Sequence, residues 1–405
     1  MKAVSSLTVW LGTANVLQLF LGLARVKLLA HWLGVTGFGE LASLLAVVTI
    51  ADAISQAGLA QVLMRDVAAK PAREGRIFGA ALSIRLALTL ATGLFLLARG
   101  GTGFWSFLMV VALGGQLGVF TLRAKLLRAP QIIANLLPGV ASLAAVGLCA
   151  TMLRPSALSA LAAVAVGTLI AASGQLGLAF RNLKSRLLVR GSEVLHLIGQ
   201  AWPLWAGGVA VALYYRLSVL MLQGLLPPDT RYAAIGYYQV AYTLIESGNA
   251  VLGALVMTAF PVFSSLHAVS PGRLKGAVIR SLGAAILAGA FACAVTVLLG
   301  EYAIRLVSSP KFLPALPALR ILSLALILVP LNGLLGSLLI AVGRQKTYLL
   351  IILAQLAVNA AANWIVIPSH GFTGAAGVSV LTEATGLILL SWQSRWLAVK
   401  NGKPS

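Results

Sequence analysis

Arg25, Asp52, Arg85, Arg216, Glu246 and Glu383 are ionisable side chains inside runs that are otherwise apolar. In hydrocarbon such a group costs about 3 kcal/mol or more, so it faces an opposite charge or a water-filled cavity. Two chemistries follow: ion pairs that join helices, or recognition of a polar solute passing between them. Spacing supports pairing. Arg216 lies about 13 residues before the turn at Pro227-Pro228-Asp229 and Glu246 about 16 after it, so at 1.5 Å per residue their depths differ by roughly one helical turn. Counting outward from the connection at 66–76 puts Asp52 and Arg85 at similar depth. Arg25, Asp52, Arg216 and Glu246 read as cavity-facing. Arg85 and Glu383 read equally well as buried pairs that never meet a solute.

Aromatic side chains accompany these charges. Tyr214, Tyr215, Tyr237, Tyr238 and Tyr242, with Trp202 and Trp205, are concentrated on two consecutive apolar runs. Trp202 and Trp205 suit an interfacial belt. Tyr215, Tyr238 and Tyr242 lie deeper and are candidate cavity-lining residues, whose phenol rings would suit sugar faces. Arginine would suit phosphate, because its planar fork makes charge-assisted bidentate bonds.

Other chemistries find little support. His31, His196, His267 and His370 sit near helix ends without metal-ligand spacing, and Cys149 and Cys293 each lie in an apolar run, where cysteine is a small hydrophobe. No metal site or cofactor is expected. There is no GxxxxGK[ST] phosphate loop and no extramembrane segment long enough for a nucleotide-binding domain.

The elements that position these residues are membrane spans. The chain has 405 residues, 60% of them hydrophobic and only 10% charged, with a mean hydropathy of +0.96. Such usage belongs to a polytopic membrane protein. Spans of about 20 apolar residues fit at 7–29, 38–64, 77–98, 104–122, 131–153, 157–180, 197–226, 233–263, 277–299, 318–341, 347–368 and 372–395. The first run is longer than a signal-peptide core and lacks a cleavage site, so it is read as a retained helix. Between the first two spans, residues 33–39 form a glycine-rich turn, and Arg154-Pro155 marks another tight turn.

The net charge of +21 is distributed by connection. Lys2, Arg65, Lys70, Arg73, Arg76, Arg123, Lys125, Arg128, Arg181, Lys184, Arg186, Arg190, Arg273, Lys275, Arg280, Arg344, Lys346, Arg395, Lys400 and Lys403 fall on alternate connections. Arg25, Lys27, Arg99, Arg154, Arg231, Arg305, Lys311 and Arg320 fall on the opposite ones. By the positive-inside rule both termini are cytoplasmic. The basic charge is topology and a complement to anionic lipid, not a nucleic-acid footprint.

The longest cytoplasmic connection, 181–197, divides the chain into residues 1–190 and 191–405, each a six-helix bundle. Gly37-Phe38-Gly39-Glu40-Leu41-Ala42 is faintly echoed by Gly236-Tyr237-Tyr238-Gln239-Val240-Ala241, each at the start of a second span. Equal topology in the two halves would make a parallel repeat with a substrate site at their interface.

These residues also resemble a known family. Asn15, Gln18, Arg25, Leu33-Gly34 and Gly37-Phe38-Gly39, then Ala51-Asp52, Gly58 and Arg65, are similar to the first helices of Wzx-type flippases, the polysaccharide exporters of the multidrug/oligosaccharidyl-lipid/polysaccharide (MOP) superfamily. The ending Arg320-Ile321-Leu322, Leu338 to Lys346, Asn359, Asn363, Ile367-Pro368, Gly371, Gly374-Ala375-Ala376 and Glu383 is more telling. The resemblance covers nearly the whole chain. It implies an all-α membrane fold of the MATE and MurJ kind, with about twelve helices in two bundles around a central cavity, in the plasma (inner) membrane. It implies alternating access that moves a polyprenyl-diphosphate-linked oligosaccharide outward, with Arg25 and Arg65 near the cavity and suited to the diphosphate. Many relatives carry an acid near the position of Ser218, where this chain reads Tyr214-Tyr215-Arg216-Leu217-Ser218, and that departure weakens any cation-coupling scheme built on it.

The expected substrate contacts are therefore Arg25, Arg65, Arg216, Tyr215, Tyr238 and Tyr242, with Asp52, Arg85, Glu246 and Glu383 as coupling groups or structural ion pairs. Expected partners are the lipid-linked oligosaccharide and membrane lipids, with no nucleic acid. The chain would act as a monomer, alone or beside other polysaccharide-assembly proteins. Two further readings stand beside the flippase: a cation-coupled exporter of cationic drugs, and a membrane-embedded glycosyl- or acyltransferase. An exporter of cations would bias its cavity acidic, whereas acids and bases here are balanced. The transferase would need a large external loop with catalytic acids, which the chain lacks.

Overall fold

The computed structural model describes residues 2–98, 100–269 and 271–395, and these are helical with no strand among them. The helices are α1 (Lys2–Gln56), α2 (Leu59–Ala69), α3 (Glu74–Leu97), α4 (Gly101–Leu113), α5 (Gln116–Ala124), α6 (Arg128–Met152), α7 (Ala157–Asn182), α8 (Gly191–Leu225), α9 (Arg231–Val269), α10 (Pro271–Val307), α11 (Leu316–Leu322), α12 (Ala325–Ala341) and α13 (Gln345–Gln393). Helix is what lipid demands, because every backbone donor and acceptor must find its partner within the segment.

Among the described residues nine helices are long and apolar enough to cross a membrane. Two of them are broken by a glycine, α1 at Gly34 (φ 67°, ψ −172°) and α13 at Gly371 (φ 55°, ψ −136°), and each divides into two segments. The pair Pro310–Leu322 and Ala325–Ala341, bent by 44°, supplies one more span. The result is about twelve segments, at the places expected from hydropathy.

The break between the first two spans is shorter than the expected turn. Gly34 alone leaves the helix, and Gly37, Phe38 and Gly39 already belong to the next helical segment. One glycine in a positive-φ conformation that other residues enter only with strain does what a loop would do, and leaves fewer backbone groups to satisfy. At Arg154-Pro155 the two spans are separate: Ser156 caps α7, its hydroxyl accepting from the Ser159 amide at 3.0 Å.

The chain folds as two compact units, Met1–Ala212 and Leu213–Ser405. The division falls inside α8 and not at residue 190, in the connection before it, because the first turns of α8 pack into the first unit. Leu197 and Ala201 join Leu59, Leu63, Phe78 and Ile84 in one apolar core. In the same unit, buried Glu74 gathers three connections: it accepts from the Lys125 ammonium at 2.8 Å and from the Lys184 amide, while Gly75 donates to the Ser185 hydroxyl at 2.8 Å. The second unit is built on Phe263, Leu274, Leu334, Leu338, Ile351 and Leu390, from α9, α10, α12 and α13.

Candidate functional site

A polar cavity lies inside the second unit. Its walls follow from helical periodicity, since residues three or four apart share a face. Tyr238, Tyr242, Glu246 and Asn249 form such a row on α9, Tyr214 and Ser218 on α8, and Gln355, Asn359 and Asn363 on α13. The cavity measures about 150 Å³ and is lined by Tyr214, Tyr215, Ser218, Tyr242, Glu246, Asn249, Asn359, Ser379 and Glu383, among others. That is below the roughly 300–1,000 Å³ of drug-sized sites. It accommodates water or a small polar group.

Glu383 is fully engaged. The Tyr214 hydroxyl donates to Oε1 at 2.5 Å, and the Asn332 amide donates to Oε2 at 2.6 Å and to the Glu383 carbonyl at 2.9 Å. Glu246 differs: its side chain is 43% exposed and stands 3.8 Å from the Arg216 guanidinium, too far for a hydrogen bond. The expected pair thus exists as a loose contact, and Glu246 is the carboxylate with capacity to spare.

Amides and hydroxyls form the rest. The Asn363 amide donates to the Ser218 hydroxyl at 3.2 Å and to the Asn359 side-chain oxygen Oδ1 at 2.8 Å, and the Asn359 amide donates to the Thr382 hydroxyl at 3.1 Å. The buried side-chain amide oxygens of Asn249, Asn332 and Asn363 have no protein partner, and that of Asn249, which lines the cavity, is an acceptor available to whatever fills it. Tyr238 and Tyr242 stack with centroids 5.5 Å apart. Tyr238 is buried, with its hydroxyl 3.0 Å from that of Ser379, while Tyr215 is half-exposed and meets Tyr214 edge-on at 5.0 Å.

The remaining expected residues lie in the first unit and are not gathered at one place. Arg85 and Asp52 form a buried ion pair, and the Arg85 guanidinium also donates to the Asp52 carbonyl at 3.2 Å and the Val110 carbonyl at 3.1 Å. Such multiple anchoring joins α1, α3 and α4. Arg25 donates to Ser142 of α6 at 3.1 Å. Arg65, at the end of α2, is 56% exposed and bonds Asp66 at 2.8 Å and Gln200 at 3.4 Å.

Sequence reasoning did not single out Tyr214, Asn249, Asn332 or Ser379 as site residues. The ladder of three polar residues spaced four apart, Gln355, Asn359 and Asn363, in an apolar helix was the signal available. His196 bonds Asp66 at 3.3 Å, both cysteines are free thiols, and no cluster of metal-ligating residues occurs among the described residues.

A multi-pass helical membrane protein of two units, one enclosing a polar cavity, is the class these features define. Solved structures share the fold. "Lipid II flippase MurJ, inward closed conformation" superposes with a TM-score of 0.74 at 13% identity, covering 95% of this chain and 87% of that one. An inward-facing multidrug resistance MATE family transporter of the MOP superfamily gives 0.71 at 14% identity over 95% and 96% of the two chains. The outward-facing conformation of such a transporter gives 0.66 at 14%, over 98% and 96%. Curated proteins gave no significant match. Residues 7–267 match the family described as "Polysaccharide biosynthesis protein", and the chain belongs to that family. The resemblance read from the sequence is borne out as membership of this polysaccharide biosynthesis family, and the expected fold of the MATE and MurJ kind is the one shared with the solved structures.

Proposed function

We propose that this protein is a flippase that moves a polyprenyl-diphosphate-linked oligosaccharide from the cytoplasmic to the outer leaflet by alternating access, for assembly of a surface polysaccharide. Family membership over residues 7–267 carries the reading, and the fold shared with a lipid II flippase supports it. The cavity in the second unit suits a polar, uncharged group better than an organic cation: amides, hydroxyls and tyrosines dominate it, and one of its two carboxylates is already fully bonded. Arg25, Arg65 and Arg216 are the proposed partners of the diphosphate, and Tyr215 and Tyr242 the aromatic contacts for sugar. The protein acts in the inner membrane with both termini cytoplasmic, as a monomer.

Depletion of the protein tests this directly. The expected result is accumulation of a lipid-linked saccharide in the inner leaflet. A second reading, export of cationic drugs, is favoured by the comparable likeness to MATE transporters. Sensitivity to cationic dyes on depletion, without saccharide accumulation, would select it.

A further inference from the structure

A groove of about 400 Å³ lies in the second unit between α10, α12 and α13. On α10, Lys275, Ile279, Leu282 and Ile286 recur at intervals of three and four residues and so share the face that lines it. Leu335 of α12 and Leu387 of α13 form the facing wall. Ile279 and Ile286 are 58% and 46% exposed, so the trough is open sideways along an apolar edge, where a membrane-spanning helix meets hydrocarbon.

Its polar groups gather at one end. Lys275 is the first of the row on α10, and Ser391 and Ser394, which also line the groove, stand where α13 closes. Spans alternate in direction, so the start of the ninth and the end of the twelfth share a side. From Lys275 to Ile286 the helix rises about 16 Å, roughly half of the ~30 Å hydrocarbon core and so the depth of one leaflet. Beyond the polar end the lining is wholly apolar.

Lys275 is half-buried and has no counter-charge in its own unit. The acidic side chains of that unit are Asp229, Glu246, Glu301 and Glu383. Asp229 precedes α9 and Glu301 lies late in α10, each at the far end of its helix from Lys275. Glu301 bonds Arg305 at 2.8 Å, Glu246 stands by Arg216, and Glu383 is committed to Tyr214 and Asn332. Among the described residues no carboxylate lies within 4 Å of Lys275. Arg273 and Arg280 are exposed on the other side of α10 and do not line the groove. A cation at the mouth of a hydrocarbon trough therefore takes its counter-ion from outside the chain. An amphiphile with an anionic head and a chain one leaflet deep supplies both parts, whereas a zwitterionic lipid brings an ammonium of its own to compete with Lys275.

We propose that this groove is a binding site for an anionic phospholipid, with one acyl chain along Ile279, Leu282 and Ile286 and the phosphate on Lys275 beside the Ser391 hydroxyl. The site does not depend on what the protein transports. The test uses purified full-length protein in phosphatidylcholine liposomes, with a trace of phosphatidylglycerol bearing a photoreactive group midway along one acyl chain. Label should map to residues 279–286 and 331–335, and unlabelled phosphatidylglycerol should displace it at a lower concentration than phosphatidylethanolamine. Lys275→Gln should reduce that preference about fivefold, equivalent to ~1 kcal/mol, and Lys275→Arg should retain it. Arg280→Gln removes the same charge from the other side of α10 and should leave the preference unchanged. If Lys275→Gln does not insert, Ser391→Phe, which obstructs the polar end and keeps the charge, should lower labelling of the same residues. Equal displacement by phosphatidylethanolamine would make the groove an apolar surface covered by bulk lipid and overturn the proposal. An equal loss in Arg280→Gln would overturn it in favour of diffuse surface charge, and stronger displacement by a polyprenyl phosphate would assign the groove to a different lipid.

Discussion

Both oxygens of Glu383 are committed, one to Tyr214 and one to Asn332, and this decides what substitution there does. Glu383→Leu strands two buried donors, each costing about 1–3 kcal/mol, so the purified protein should show a clearly lower unfolding midpoint. Glu383→Gln keeps an acceptor and should lose much less; equal losses would mean that charge, not bonding, is what the site needs. Arg25 poses a sharper question. One donor reaches Ser142, and a lysine can replace that single bond but not the fork that would grip a diphosphate. Arg25→Lys is expected to keep protein level and reduce flipping, and Arg25→Ala to abolish it, measured as lipid-linked saccharide reaching the outer leaflet. Normal transport by both would remove Arg25 from the diphosphate site. Depth counting identified the two ion-pair partnerships from sequence. It could not show that Arg85 is locked by the carbonyls of Asp52 and Val110 while Arg216 is only loosely held, because those carbonyls carry no sequence signature.

At the scale of elements, spans were legible because lipid imposes length and apolarity on every one of them, and the breaks at Gly34 and Gly371 fall in connections that the sequence already marked. That a single glycine makes each of these breaks was not legible, because only their positive φ shows it. A Cβ at either would meet nothing within 4 Å. The cost of Gly34→Ala or Gly371→Ala is therefore backbone strain alone, about 1–3 kcal/mol. Gly22 is equally uncrowded but lies in regular helix, where alanine gains up to about 1 kcal/mol. Unfolding midpoints in detergent should fall for the first two and hold or rise for Gly22→Ala. A fall at Gly22 as well would point to lost helix contacts in place of conformational strain. The cavity was illegible for a different reason. Its walls come from α8, α9, α11, α12 and α13, and its central bond joins Tyr214 to Glu383 across 169 positions. The polar ladder on α13 marked a buried face without naming its partners.

For the whole molecule, orientation in the membrane is the property that every site reading depends on. Charge counting assigned the connections at 66–76, 123–128 and 181–197 to the same side. Within the first unit Glu74, Lys125 and the Lys184 amide meet at one carboxylate, so these three connections do share a side, independently of the count. Contact of this kind fixes parity but not direction, since a membrane protein inserted upside down keeps the same bonds. Direction comes from the excess of lysine and arginine in those connections. Reporters fused after Lys184 and Lys275 should therefore be active in the cytoplasm, and one after Asp229, in the turn between α8 and α9, should be active outside. Fusions after Arg99 and Lys400 would extend the series to positions outside the described residues. A cytoplasmic signal at Asp229 together with one at Lys184 would mean that α8 does not cross, and the twelve-span count would fall. Signals reversed at all three positions would keep the count and invert the protein. Arg65, a proposed partner of the diphosphate, would then stand at the outer face, where a flippase releases its lipid instead of receiving it.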